Sequence, residues 1–289
     1  MPEARSDDIA HDVVRVDAGD VALVGDRWLP AGPSRGSVLL LHGGGQTRHS
    51  WRRTGARLAR AGWTAAAFDA RGHGDSGWAP DGDYSAAALV GDARQLVSWM
   101  GAPPVVVGAS MGGMTALVGE GEEGGLAAGL VLVDIVARPD PVGIERIHSF
   151  MASAPDGFAT LEEAADAIAA YNPNRPRPRS TDGLRKNLRQ RPDGRWCWHW
   201  DPRFLGVGSE PERELRAERL ARAAEGITVP TLIVRGANSD IVSTDGLDEM
   251  LRLIPHAEVV EVAAAGHMIA GDDNDVFTAR LTGFLEGLE

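Results

Sequence analysis

Apolar and polar residues along this chain follow two rhythms. Between Asp12 and Trp28, the stretches DVVRVD and DVALVGDRW alternate apolar and polar positions around a turn at 18–20, the pattern of an antiparallel hairpin at a sheet edge. The rhythm then changes. VLLLH (38–42), TAAAFD (64–69), PVVVG (104–108), GLVLVD (129–134) and PTLIVRG (230–236) are continuously apolar, as strands buried on both faces must be. A last strand, AEVVEVA, starts at Ala257. Helix-compatible stretches cover 50–61, 86–100, 111–120, 244–253 and 274–288. Strand and helix in alternation predict a parallel sheet with helices on both faces.

The segment 137–226 interrupts this alternation and is richer in Pro, Arg and Trp, with NPNRPRPRS near its centre. It reads as a cap or lid insertion, dividing the chain into a core over 1–136, a cap over 137–226 and the rest of the core over 227–289. Inside it, Thr160 and Glu163 stand at capping-box spacing before LEEAADAIAAY, whose Leu161, Ala164, Ala165, Ile168 and Tyr171 share one helical face. WCWHW sets Trp196, Trp198 and Trp200 at period two, an extended segment with three rings on one side, expected to pack rather than to wall a substrate.

Composition narrows the class. The chain has 289 residues, 43% hydrophobic and 24% charged, so a large core is available without covalent staples. Cys197 is the single cysteine, which excludes an intrachain disulfide framework and fits a reducing compartment; the expectation is cytoplasmic. A formal charge of -12 argues against nucleic acid and acidic membrane surfaces as partners. The polar, acidic start does not read as a secretory signal, and no apolar run approaches a membrane span. The oligomeric state is left open.

The chemistry is concentrated in a few motifs. In GASMGG, Gly108, Ser110 and Gly112 satisfy Gly-x-Ser-x-Gly directly after the PVVVG strand and before a helix. In that setting a sharp strand-to-helix turn thrusts the serine hydroxyl above the sheet, and the glycines allow close backbone approach. A serine hydroxyl needs a base, and His267, in AAAGHM just past the last strand, lies at the same sheet edge. The base needs a carboxylate. Asp240, in RGANSD after the PTLIVRG strand, gives the order Ser, Asp, His, and Asp134, at the end of LVLVD, is the alternative. Oxyanion donors are expected from the Met111 amide and from the HGGG loop, at Gly44 or else Gly45. His42 and His73, in Gly-rich turns, read as turn braces. His11, His49, His148, His199 and His256 read as surface or packing residues. Asp272 and Asp273 are expected to cap the last helix.

With HGGGQTRHSW, FDARGHGDSG, VVGASMGG, RGANSD and AGHM in this order, the chain resembles the α/β-hydrolase fold family over nearly its whole length. It looks closest to the branch of serine esterases, lactonases, cofactor-free haloperoxidases and carbon–carbon bond hydrolases. The resemblance implies an eight-stranded, mostly parallel sheet, a helical cap inserted after the sixth strand, and a Ser110, Asp240, His267 triad. Epoxide hydrolases and haloalkane dehalogenases use an aspartate where Ser110 stands, so their chemistry is set aside. The expected function is hydrolysis of a small or medium uncharged ester or lactone, with no cofactor and no metal. Carbon–carbon bond hydrolysis, peroxyacid formation and a non-catalytic receptor are the rivals. Trp51 is the single best candidate for contact with the substrate, set against ordinary helix-to-sheet packing.

Overall fold

The computed structural model describes residues 9–171, 177, 180–205, 210–263, 266–267 and 275–288. The hairpin of β1 (Ala10–Asp17) and β2 (Ala22–Leu29) forms one edge of the main sheet, as its alternation predicts. The buried apolar runs become β3 (Ser37–Leu41), β4 (Thr64–Phe68), β5 (Val105–Ala109), β6 (Gly129–Val133) and β9 (Thr231–Gly236), and β10 (Glu258–Val262) closes the far edge. The eight strands lie in the order β1-β2-β4-β3-β5-β6-β9-β10. All pairs from β4 to β10 are parallel, and the two involving β2 are antiparallel. All six parallel strands therefore end at one edge.

Alternate residues of these strands feed two cores. Leu39, Val106, Leu130, Leu132 and Ile233 face one layer, covered by α2 (Ala86–Met100), α3 (Met111–Glu123), α6 (Glu210–Glu225) and α7 (Thr244–Leu253). Val38, Leu40, Val107, Val131 and Val234 face the other, covered by α1 (Arg52–Arg60) and α8 (Asp275–Glu286). A period of two places successive side chains on opposite faces, which is why an unbroken apolar run serves both layers. Helix boundaries follow local chemistry. Ser85 caps α2 by accepting from the Ala88 amide at 3.2 Å, and Gly101, at φ 84°, ends it. The expected caps Asp272 and Asp273 lie outside the described residues.

Between β6 and β9 the chain leaves the sheet for α4 (Pro141–Met151), α5 (Leu161–Tyr171) and a hairpin of β7 (Leu188–Gln190) with β8 (Trp196–Trp198). These share a small core of their own, built on Met151, Phe158, Leu161, Ala164, Leu184 and Trp198. The Trp198 and Trp200 rings are buried and stack at 4.9 Å, so two of the three period-two tryptophans pack as expected, while Trp196 is only partly buried and lies under the Arg185 guanidinium. One part of the segment 137–226 behaves differently. Leu220, Ala223 and Ala224 of α6 are buried in the main core beside Leu117 and Leu126, so this helix belongs with the sheet's helical layer rather than with the insert. No signal in the polar, Arg-rich sequence of α6 marks that switch.

The contact between α3 and α6 depends on an absent side chain. A Cβ at Gly121 would lie 1.9 Å from the Ala223 carbonyl oxygen, which is backbone and cannot move aside cheaply. Gly121→Ala should therefore destabilise the fold by about 1–3 kcal/mol. Gly91, exposed in α2 with open space around it, should instead gain about 0.5–1 kcal/mol as alanine. Urea unfolding of the two variants checks this opposite pair of signs.

Candidate active site

Ser110 stands between β5 and α3 at φ 47° and ψ -115°, a backbone state few L-residues adopt. The strain is held in place from behind. A Cβ at Gly108 would meet the Gly112 carbonyl oxygen at 2.5 Å, and one at Gly112 would meet that of Leu41 at 2.5 Å. Helix α3 thus starts hard against β5 and β3, and only glycine fits at these positions. The turn predicted from Gly-x-Ser-x-Gly is present.

Strand register carries Asp134 to the serine's side. Ala109 pairs with Val133, so the next residues of β5 and β6, Ser110 and Asp134, leave the sheet side by side. Asp134 also has positive φ, 53°, which a short polar side chain tolerates better than most. Its Oδ1 accepts from the Gly236 amide at 3.0 Å, and its Oδ2 accepts from the Ser239 hydroxyl at 2.6 Å. The same Oδ2 lies 2.8 Å from Nδ1 of His267. The carboxylate is 1% exposed and the imidazole 12%.

This corrects the expected partner. Asp240 does not meet His267; its carboxylate pairs with Arg146 of α4 at 2.9 Å, on the outer side of the β9 turn. The physical reason lies in RGANSD itself. Ser239, not Asp240, turns inward, and its hydroxyl accepts from the Ile241 and Val242 amides while donating to Asp134. The motif supplies a hydroxyl that braces the carboxylate of the neighbouring strand. Trp51 is also corrected: it is fully buried in the core under the sheet, 6.0 Å from the Phe277 ring, and takes the helix-to-sheet packing role.

The HGGG loop lies beside Ser110, with a Cβ at Gly43 falling 3.2 Å from that of Ser110. The Gly43 amide donates to Oε1 of Gln46 at 3.1 Å, and the Gly45 amide to Nε2 of His73 at 3.2 Å. The Gly44 and Met111 amides have no hydrogen-bond partner among the described residues. Gly45, the alternative donor, is therefore already engaged. Above the loop the insert contributes apolar atoms: a Cβ at Gly44 would touch Phe204 at 3.5 Å, and one at Gly45 would approach Met151 at 3.1 Å and Trp200 at 3.4 Å.

Three buried histidines surround this loop. His42 accepts the Ala70 amide at Nε2, 2.9 Å, and so donates from Nδ1 to the Gly43 carbonyl, 2.8 Å. His73 accepts from Gly45 at Nε2 and donates from Nδ1 to the Arg71 carbonyl, 3.1 Å. His199 accepts the Gly74 amide at Nδ1, 2.7 Å, and donates from Nε2 to the Gly45 carbonyl, 3.3 Å. The bracing expected of His42 and His73 is present. His199, expected as a surface or packing residue, is instead a third brace, only 1% exposed. Its sequence neighbourhood of tryptophans carries no hint of this.

Burial lowers His42 from 6.5 to about 4 and His73 to about 3, and pushes His199 well below its ordinary value. The loop after β4 is fixed by ions as well. Arg48 contacts Asp69 and also Asp75 at 2.9 Å, and Arg71 forks onto Asp92 at 2.7 and 2.8 Å.

Comparison with known proteins agrees with this architecture. The sequence profile of the α/β hydrolase fold matches residues 36–273. The chain belongs to the α/β hydrolase fold family. It is 28% identical to Esterase Rv0045c of Mycobacterium tuberculosis, over 95% of this chain and 89% of that protein. It is 30% identical to the sn-1-specific diacylglycerol lipase ABHD11 of Mus musculus, over 91% of this chain and 83% of that protein. The crystal structure of E-2-(acetamidomethylene)succinate hydrolase superposes with a TM-score of 0.81 at 23% identity, covering 96% of this chain and all (100%) of that one, a likeness of fold. Among the described residues no helix is long and apolar enough to cross a membrane.

The neutral histidines make stability depend on pH. Below 6.5 the unfolded chain takes up protons that the folded rings refuse, so stability falls as pH falls. Each ring costs about 1.4 kcal/mol per pH unit until its own lowered value is reached. Urea midpoints should drop steadily from pH 7 to pH 5, and a flat profile over that window would contradict the assignment.

Proposed function

We propose that the protein is a cofactor-independent serine hydrolase acting on small or medium, uncharged carboxylic esters or lactones. Ser110 is the nucleophile, His267 the base, and Asp134 the carboxylate that orients it. The carrying observation is the 2.8 Å bond between His267 and Asp134, beside the strained turn of Ser110. Kinship with an esterase and a lipase supports the same reading.

In this reading the Ser110 oxygen attacks the acyl carbon while Nε2 of His267 takes its proton. Nδ1–H of the ring stays on Asp134, which remains ionised and stabilises the imidazolium. The carbonyl oxygen becomes an oxyanion held by the Gly44 and Met111 amides. Collapse breaks the bond to the alcohol, which leaves with the proton from His267. A water molecule then gives its proton to His267 and attacks the acyl-enzyme; the acid departs, and Ser110 recovers its proton. Met151, Trp200 and Phe204, lying over the glycine loop, favour an apolar acyl group.

Two tests follow. Ser110→Ala should lower p-nitrophenyl butyrate turnover by about three orders of magnitude or more with the melting temperature retained. Unchanged turnover would refute the nucleophile. Asp134→Asn should cost about 10³–10⁴ in kcat through the wrong imidazole tautomer. Asp240→Asn removes only a partly exposed pair with Arg146 and should stay within about threefold of the parent. Steady-state kinetics of both variants separates the two carboxylates.

A further inference from the structure

The glycine loop has little rigidity of its own, yet the hydrolysis proposed above needs one of its N–H groups held in a fixed direction. The Gly43–Gly44 peptide plane sets that direction, and it and the two planes that follow, which anchor it, are each gripped by a different imidazole. The Gly43 carbonyl accepts from His42 at 2.8 Å and from the Gln46 amide at 3.1 Å. A trans peptide is planar with C=O and N–H opposed, so this grip aims the Gly44 N–H the other way, out of the loop. The next plane is held by its Gly45 N–H on His73, and the one after by its Gly45 carbonyl on His199. The rings follow one another at 5.3 and 5.7 Å.

His42 and His73 come from the core, but His199 comes from the insert between β6 and β9. Its segment is tied to the core by further bonds. The Asp201 amide donates to the Gly72 carbonyl at 2.9 Å, its carboxylate accepts the Tyr84 hydroxyl at 2.5 Å, and Arg203 donates to the Ala79 carbonyl at 2.9 Å. Only one arrangement of protons satisfies His199: Nδ1 must accept from Gly74, so Nε2 carries the hydrogen.

We propose that His199 is a positioning residue, through which docking of the insert completes the clamp on the glycine loop and sets the aim of the Gly44 oxyanion donor. This rests on the ester-hydrolase reading, yet it is tested apart from it. In His199→Asn the amide oxygen can replace Nδ1 and keep Gly74, but no donor reaches Gly45. In His199→Gln the longer amide can replace Nε2 and keep Gly45, losing Gly74.

With p-nitrophenyl butyrate, His199→Asn should lose about tenfold in kcat at unchanged KM, and His199→Gln should recover most of it. Affinity for a trifluoromethyl ketone, which forms the tetrahedral adduct, should fall in step with kcat. Equal kcat losses in both variants, a loss confined to KM, or no loss would overturn the proposal. A second measurement needs no variant. The ¹⁵N spectrum of the parent protein at pH 7 should show His199 neutral with the proton on Nε2; a proton on Nδ1 would overturn the clamp. Activity retained by Ser110→Ala would refute the hydrolytic reading and leave that spectrum unchanged.

Discussion

The close seating of α3 against the ends of β5 and β3 is the constraint on which the rest depends. Gly108 and Gly112 leave no room for a side chain, and their backbone contacts hold Ser110 in a conformation it would not otherwise keep. Strain of this kind costs on the order of 1–3 kcal/mol and persists only where surrounding packing over-determines it. Here two apolar layers do so, with every residue of β5 and β6 buried. The same seating brings the first amide of α3 beside the serine. The strained Ser110 turn and the position of the Met111 amide are thus two consequences of one packing contact.

Parallel register then gathers the polar groups. Because the strands end together, one step beyond Ala109 and Val133 brings Ser110 and Asp134 to the same edge, and the turn after β9 closes over the carboxylate with Gly236 and Ser239. A buried carboxylate with three donors is satisfied rather than merely tolerated. The loop after β4 is set by charge instead. Burial raises the Asp92 carboxyl above its ordinary range although Arg71 is bound to it. Such a pair is weak evidence for stability, and the reading that suits it here is geometric: it fixes where the loop carrying His73 sits.

The insert is joined to this framework on two sides. On the side of His199, Asp201 and Arg203 it is bound by buried or half-buried hydrogen bonds to the loops around Gly45, Gly72 and Ala79. On the side of α4 the Asp140 amide donates to the Ile241 carbonyl at 2.9 Å and Gly143 packs against the Asp240 backbone, while the Arg146–Asp240 pair is substantially exposed and contributes little. The first side reaches the glycine loop through His199, Trp200 and Phe204, and α4 reaches it through Met151. The apolar cover of the glycine loop and one of the bonds that hold it therefore come from the same part of the insert.

Local pattern determined a great deal of this protein. The strands were legible because burial on two faces forces unbroken apolar runs, and the serine turn because its glycines have no substitute. The carboxylate beside His267 was not legible. Asp134 and Asp240 both follow a strand at the correct edge, and which one turns inward depends on how Ser239 folds back across β6, a contact of 105 residues' separation. Trp51 and His199 exchanged expectations for the same reason. A ring's surroundings are set by elements remote in the chain: Phe277 of α8 for the first, Gly45 and Gly74 for the second. Sequence by itself determined which backbone shapes form and where they stop, because those depend on neighbours within a few residues. Only tertiary structure decided which polar groups meet, because each such meeting joins segments that nothing local relates.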